Sequence, residues 1–237
     1  MKRHLFAAAA IACATLPSFA LAESKKLDAG DIHAVDVSSG IKAIVTAGPA
    51  LSVIAEASDP ADLRDLRWEV RNGVLKVWYD WGIGNLLDFS GHDVTVTISA
   101  PAIDALEAGA GASIEASGIS GDTVSIEVSS GASIKAPGSH AKHYNLESSS
   151  GAGLELSGSC ETANVELSSG AGVSAKNLDC TNVTFEASSG AHLEITAHGS
   201  INAEVSSGGS ATIYGKPSVE HLETSSGGSV DFPSGSP

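Results

Sequence analysis

Seven glutamates recur at a constant spacing, and this row of carboxylates is the part of the sequence best suited to chemistry. Each lies four residues before the glycine of a Ser-Ser-Gly tripeptide or, once, of Gly-Ala-Gly. They are Glu107, Glu127, Glu147, Glu166, Glu186, Glu204 and Glu223, named here the glutamate ladder. Asp36 has the same offset from Gly40. If the segments stack in register, these side chains form an oxygen-rich acidic row of the kind that suits Ca²⁺.

Two interpretations of the glutamate ladder remain open. Outward carboxylates keep a flat sheet soluble and prevent sheets from associating with one another. The alternative is that the ladder binds a divalent ion or a glycan. The Gly-Gly-x-Gly-x-Asp nonapeptide of calcium-loaded β-rolls is absent from the sequence. We therefore predict no cofactor, and Ca²⁺ is the one ion that the pattern leaves in consideration.

A cluster of aromatic residues offers a second candidate site. All three tryptophans lie close together in the sequence with one tyrosine: Trp68, Trp78, Tyr79 and Trp81. Such rings can stack on sugars. They can equally form a hydrophobic lid over one end of a fold. The segment Trp81–Phe89 is predicted to be a loop where a partner binds.

Two cysteines are placed to form a disulfide. Cys160 and Cys180 each lie ten residues before the next repeat glycine, so they occupy equivalent positions in successive repeats. Stacked repeats would bring their Cα atoms to about 5 Å, which a disulfide accepts. A catalytic role is not indicated, because the spacing provides no fixed histidine partner.

These residues are positioned by a repeat of 18 to 20 residues that ends at Gly111, Gly131, Gly151, Gly170, Gly190, Gly208 and Gly227. Apolar columns stand five residues before each glycine, from Leu106 to Leu222, and three residues after it, from Ile114 to Val230. Alternating polar and apolar residues around them predict half-buried strands. Stacking such coils buries one continuous core. The sequence therefore predicts an all-β fold, a single-stranded β-solenoid or parallel β-helix with two strands per coil and the serine before each glycine inside the corner.

The N-terminal third has a different pattern. One more coil is predicted around Gly40, a short helix begins near Asp59-Pro60, and Asn72-Gly73 indicates a type I′ hairpin between two strands. We interpret 23–100 as first coil, hairpin and cap, and 101–237 as the regular coils of the same single domain. A cap is expected because an open solenoid end needs covering.

The order of these segments resembles a known bacterial family. The matching runs are Val35–Lys42, Asn72–Val77, Val94–Pro101 and Ile103–Gly111, followed by the Ser-Gly-Ala repeats. They are similar to the auto-transporter adhesin head domain, or GIN domain. The resemblance covers essentially all of 23–237 and implies an exported β-helical protein, with adhesion suggested by the family name.

Charge and the N-terminus restrict the location and the partners. Residues 1–22 have a basic start at Lys2-Arg3, an apolar run and an Ala20-Leu21-Ala22 end, which predicts a removed signal peptide. The sequence has 28 acidic and 13 basic residues, so nucleic acid is excluded as a partner. The rest of the chain has no apolar run long enough to span a membrane. We expect a periplasmic or extracellular protein whose partner is an envelope or surface component, either a glycan or a protein.

An enzyme is the least supported function. Polysaccharide lyases on β-helices use an arginine or lysine base beside acidic metal ligands, and no arginine follows Arg71. We predict a non-enzymatic adhesin-like or scaffold module. The alternative is a glycan- or Ca²⁺-binding module that uses the glutamate ladder or the tryptophan cluster.

Overall fold

The computed structural model describes residues 23–80 and 93–233, which are almost entirely β-strand. The predicted signal peptide, Trp81 and the rest of the predicted 81–89 loop lie outside the described residues. The strands are β1 (Glu23–Lys26), β2 (Ala34–Val37), β3 (Lys42–Ala47), β4 (Ser52–Ala57), β5 (Leu66–Arg71), β6 (Val74–Tyr79), β7 (Val94–Ala100), β8 (Ala105–Ala108), β9 (Ser113–Ser117), β10 (Ser120–Val128), β11 (Ser133–Ser148), β12 (Gly153–Leu167), β13 (Gly172–Ala187), β14 (His192–Val205), β15 (Ser210–Gly215), β16 (Ser218–Thr224) and β17 (Ser229–Asp231). The helix α1 (Pro60–Asp65) lies between β4 and β5.

The repeats form the predicted β-solenoid. From β8 to β17, equivalent strands of successive coils pair in parallel, with the repeat positions opposite one another. Apolar side chains at alternate positions point into a continuous core, where the two predicted inward columns are buried as far as Ala203 and Ala211. From β11 to β14 the strands have paired neighbours on both sides along most of their length, which explains how so narrow a fold satisfies most of its backbone polar groups.

The coils of β11 and β13 have three short faces, one more than the sequence analysis predicted. In β11 the buried–exposed alternation is interrupted at Pro137-Gly138 and again at Lys142-His143. The pairing register shifts at the first of these places. The second interruption is hidden in the sequence because no glycine or proline stands there. The chain bends at both places without leaving the sheet.

The Ser-Ser-Gly tripeptides form a column of type I′ turns. Ser130 and Gly131 both have positive φ, at 54° and 71°, and the amide of Ala132 donates to the carbonyl of Ser129 at 3.0 Å. The amide of Gly131 also donates to Ser150 O of the next coil at 3.1 Å. The hydrogen-bonded stack thus continues through the corner.

The serine before each glycine faces solvent, so the prediction that it lies inside the corner is wrong. Ser130, Ser150, Ser169, Ser189 and Ser207 are exposed. In a type I′ turn the two central residues are at the tip, and their side chains point away from the strands. The left-handed conformation of these serines, φ 50–54°, is the unusual feature that the sequence pattern does not reveal.

The first coil in the sequence is not the first coil in the stack. β2 pairs with β8 on one side and with β6 on the other, and β3 lies likewise between β9 and β7. In chain order, β2 and β3 form this coil. β6 and β7 then pair with its outer edge, and β8 and β9 pair with its inner edge. The coil of β2 and β3 is therefore interior, although its sequence is N-terminal.

The outer end of this arrangement is closed by antiparallel strands and the helix. β5 and β6 form the predicted hairpin with a type I′ Asn72-Gly73 turn, both residues at positive φ. β4 and then β1 add antiparallel strands beyond β7. The predicted helix begins after Asp59, whose side chain accepts from the Ala61 amide at 2.8 Å, and Leu63 is buried.

The opposite end of the solenoid is not closed within the described residues. The sequence analysis placed Leu222 and Val230 in the inward columns, but Leu222 is 41% exposed and Val230 is only partly buried. The reason is positional, since no further described coil covers the side chains of β16 and β17. Within 23–80 and 93–233, no helix combines the length and hydropathy needed to cross a membrane.

Candidate functional site

The glutamate ladder is a true in-register row. Each glutamate is directly opposite the next, from Glu107 and Glu127 on β8 and β10 to Glu204 and Glu223 on β14 and β16. The repeat spacing places them there because one coil adds 18 to 20 residues, and register shifts away from the Ser-Ser-Gly turns absorb the difference in coil length. All seven side chains are exposed. Neighbouring carboxylates thus repel one another in water, by about 0.9 kcal/mol per pair at strand spacing.

The ladder ends at a cation on the side of the cap. Asp36 on β2 continues the row beyond Glu107, and Lys76 on β6 lies opposite Asp36 with its Nζ 2.7 Å from the carboxylate. The hydrogen bond to Asp36 raises the pKa of Lys76. Asp36 is only 6% exposed, so this pair neutralises a carboxylate that would otherwise be buried without a partner.

Glu107, next to this pair, titrates differently from an ordinary glutamate. Burial raises its pKa first, and the negative charges of Asp36 and Glu127 raise it further, while Lys76 opposes them. The side chain is exposed by surface area, so the burial effect comes from the surrounding protein atoms rather than from enclosure. Relative to the unfolded chain, the fold thus shifts Glu107 towards its protonated form.

A shallow groove of about 280 Å³ runs beside the ladder. Its walls are ladder glutamates and the serines two positions before each glycine, Ser149, Ser168, Ser188 and Ser206. The groove thus offers carboxylate and hydroxyl oxygens at every rung, which suits a hydrogen-bonded or cationic ligand. Among the described residues, no group of three or more His, Cys, Asp or Glu side chains is arranged to hold a metal ion.

The face after the turns has mixed charge instead of a ladder. Lys135 forms an ion pair with Glu155 at 3.1 Å, and Lys42 forms one with Glu115 at 3.2 Å. These pairs are exposed, so each contributes little to stability. The uniform row of acids is therefore confined to one face of the solenoid.

Cys160 and Cys180 form the predicted disulfide. They are opposite one another on β12 and β13, with their Cα atoms 4.5 Å apart. The bond links successive coils at equivalent positions, as their common offset from the repeat glycines predicted. It is a structural link between neighbouring coils, since neither sulfur remains as a thiol.

The aromatic cluster is divided between cap and surface. Tyr79 is 4% exposed and its hydroxyl donates to Asp62 O at 3.1 Å, so its ring is not available to a sugar. Trp68 is half-buried, with Lys25 Nζ 4.4 Å from its ring centre. Trp78 is half-buried and donates to the Asp80 carboxylate at 3.1 Å. The remaining candidate, Trp81, lies outside the described residues.

Sequence reasoning missed two features around these sites. One is the Lys76 partner of Asp36, which the offset of Asp36 from Gly40 did not reveal because the hairpin pairs with the first coil from outside. The other is His33, whose Nδ1 lies 2.9 Å from Asp104. That hydrogen bond is the main reason why the pKa of His33 is raised. No pattern links residues 71 positions apart.

Comparison with known proteins gives a family and a fold. Residues 31–217 match the family model described as "Putative auto-transporter adhesin, head GIN domain". No curated protein matches the sequence significantly. Among solved structures, a "putative adhesin" from Bacteroides fragilis superposes with a TM-score of 0.79 at 15% identity, over 89% of this chain and 96% of that one.

Two structures from Parabacteroides are also similar. A "putative adhesin" from Parabacteroides merdae has a TM-score of 0.64 at 13% identity, covering 89% of this chain and 95% of that one. A "putative lipid binding protein" from Parabacteroides distasonis has a TM-score of 0.63 at 13% identity, covering 89% and 96%. At these identities the likeness shows a common fold and nothing about a shared ligand.

Proposed function

The chain belongs to the auto-transporter adhesin head (GIN) domain family, and from this premise we propose that it is an exported, non-enzymatic adhesin-like or scaffold module. It acts at the cell envelope or the cell surface. Its partner is an envelope or surface component, a glycan or a protein, that contacts the exposed faces of the solenoid.

One observation carries this proposal: the same outward side chains recur at every rung of an in-register stack. Parallel strands are about 4.8 Å apart, so a ligand with a repeating structure can make the same contact many times. Many weak contacts on one rigid body give strong total binding. A solenoid with a regular outer surface thus suits adhesion better than it suits chemistry at a single enclosed point.

Export and adhesion are tested separately. The full chain is expressed in a Gram-negative host, and mass spectrometry of the purified product is expected to give Glu23 as its first residue. Beads coated with that product are then applied to a glycan array and to isolated envelope material. Retention on a defined glycan or envelope component supports the proposal. An intact Met1 in the cytoplasmic fraction contradicts export, and beads that bind nothing beyond an albumin control contradict adhesion.

A second candidate is binding of Ca²⁺ or a glycan along the glutamate ladder. It is favoured by the ladder's exact register and by the groove beside it. A ligand that binds only the folded protein raises the unfolding midpoint. Unfolding is therefore measured in EDTA and in millimolar Ca²⁺, for the native protein and for the Glu166→Gln/Glu186→Gln variant.

The matched control for this experiment is Glu155→Gln/Glu194→Gln, which removes the same charge from the mixed face. A Ca²⁺-dependent rise that only the ladder variant loses assigns the ion to the ladder. Equal responses of both variants point to general screening of the acidic surface, and no rise at all leaves the glutamates as a solubility device. Absence of turnover on acidic polysaccharides is expected throughout, and measurable cleavage would make the protein an enzyme.

A further inference from the structure

Within residues 23–80 and 93–233, the coil of β16 and β17 leaves part of the core uncovered. Four large apolar side chains are exposed among the described residues, and three of them lie on this coil: Val219 at 50%, Leu222 at 41% and Phe232 at 42%. Leu222 continues the inward column that is 1% exposed at Phe185 and at Ala203. The exposure is therefore not scattered but marks one end of the core.

The backbone of this coil also has no paired strand on its outer side in the part of the chain that the structure describes. Among the described residues, β16 pairs only with β14 and β17 pairs only with β15. Such edges present free amide and carbonyl groups that favour pairing with another strand. The register of β16 is irregular near Glu220 but is regular from His221 to Thr224, so that stretch offers a usable edge.

The cap end shows how this fold covers such an edge. There, β6 pairs in parallel with β2, so that Leu75, Lys76 and Val77 lie opposite Val35, Asp36 and Val37. The two apolar residues bury the core, and Lys76 neutralises Asp36 at 2.7 Å. A strand with the pattern apolar–cation–apolar thus closes the ladder at that end.

No equivalent cation stands at the other end within the described residues. Leu222, Glu223 and Thr224 occupy the same column positions as Val35, Asp36 and Val37, as the continuous register shows. Among the described residues, no Lys or Arg nitrogen lies within 4 Å of the Glu223 carboxylate. The terminal strand is therefore complementary in charge to a strand with the apolar–cation–apolar pattern of β6.

We propose that β16 at the C-terminal end of the solenoid accepts one additional parallel strand from another polypeptide, with an apolar residue opposite Leu222 and a lysine or arginine opposite Glu223. This is strand addition at a sheet edge, in which backbone hydrogen bonds give affinity and alternate side chains give specificity. A second copy of the chain is a poorer occupant through the same strand, because β16 carries Glu220 and Glu223 and no lysine or arginine. The binding site is independent of whether the outer faces act in adhesion.

The test uses a fluorescein-labelled peptide with the sequence of residues 72–80, Asn-Gly-Val-Leu-Lys-Val-Trp-Tyr-Asp, and the purified protein. Saturable binding in fluorescence anisotropy is expected, with slower amide hydrogen exchange in Ser218–Thr224. A peptide with glutamate at the lysine position is expected to bind about tenfold more weakly, because attraction to Glu223 becomes repulsion.

The Glu223→Lys variant is expected to reverse this preference, so that it binds the glutamate peptide better than the lysine peptide. Glu186→Lys makes the same charge change in the middle of the ladder, and it is the control that leaves the preference unchanged. Equal effects of the two protein variants, or exchange protection elsewhere, would overturn the proposal. It is also overturned if sedimentation shows a dimer that Leu222→Asp dissociates, since the end then belongs to a second copy.

Discussion

Replacing Gly170 by alanine is expected to destabilise the protein through backbone conformation alone. Gly170 has φ +74°, and a Cβ built there meets no heavy atom within 4 Å. The added methyl group is therefore free of clashes, and its cost is that of placing an L-residue in the left-handed region, about 1–2 kcal/mol. The reduced entropy of the unfolded chain offsets about 0.4–1 kcal/mol of this. The expected net loss is about 1 kcal/mol.

Gly172, two residues later, provides the matched control. It has no left-handed φ, and a Cβ there also meets nothing within 4 Å. Gly172→Ala is thus expected to stabilise the protein by about 0.4–1 kcal/mol through the unfolded state. The unfolded-state effect is common to both variants. The difference between their unfolding free energies is therefore the cost of the left-handed conformation at Gly170, about 1–2 kcal/mol.

Urea unfolding followed by far-UV circular dichroism measures both variants against the native protein. The comparison is valid where the slope of free energy against urea is unchanged, since a changed slope signals loss of cooperativity. Two variants of equal stability would refute the type I′ assignment of the turn column. A Gly170→Ala variant more stable than Gly172→Ala would refute the whole conformational argument.

Three further predictions concern the links between coils and the titrating groups. Cys160→Ser/Cys180→Ser is expected to lower the unfolding free energy by about 3 kcal/mol, and in urea unfolding dithiothreitol should destabilise the native protein equally while leaving this variant unchanged. Hydrogen bonding to Asp104 raises the pKa of His33. The pair therefore stabilises the fold fully below the pKa of an unfolded histidine, about 6.5, and this stabilisation is lost as pH rises through the pKa of His33 in the folded protein. An NMR titration of Asp104→Asn is expected to show a lower pKa for His33, and an unchanged value would contradict the contact. The pKa of Glu107 is raised, mainly by burial, so its charged form destabilises the fold. Glu107→Gln should then be more stable than the native protein at pH 7 in urea unfolding, with the advantage vanishing on acidification below the pKa of an ordinary glutamate.

The regular part of the fold was predictable from the sequence because its information is local and repeated. A fixed offset from each glycine identified the glutamate ladder, the apolar columns and the Cys160–Cys180 pair. Residues with the same offset lie opposite one another when successive repeats stack, so the offset predicts which residues are in contact. The hairpin at Asn72-Gly73 was predictable for a related reason, since a two-residue turn determines its own geometry.

The features that escaped prediction depend on contacts between distant segments. The placement of β2 between β6 and β8 follows from tertiary packing, and no local sequence pattern predicts it. The burial of Tyr79 and the pairing of Lys76 with Asp36 depend on this placement. The outward orientation of Ser130 does not follow from the sequence pattern, because serine is uncommon in the left-handed region that it occupies here.

The interior position of the β2–β3 coil has a consequence for the order of folding. This coil lies early in the sequence but pairs on both sides with strands that come later in the sequence, so we expect it to be the template for both. The pairing with β6 and β7 is expected to end with the cap, and the pairing with β8 is expected to extend by one coil at a time through local contacts. Closing the loops between β2 and the later strands costs chain entropy before any core is gained. The slow step of folding is therefore expected at the N-terminal junction, and the remaining coils then add rapidly, as in other linear repeat arrays.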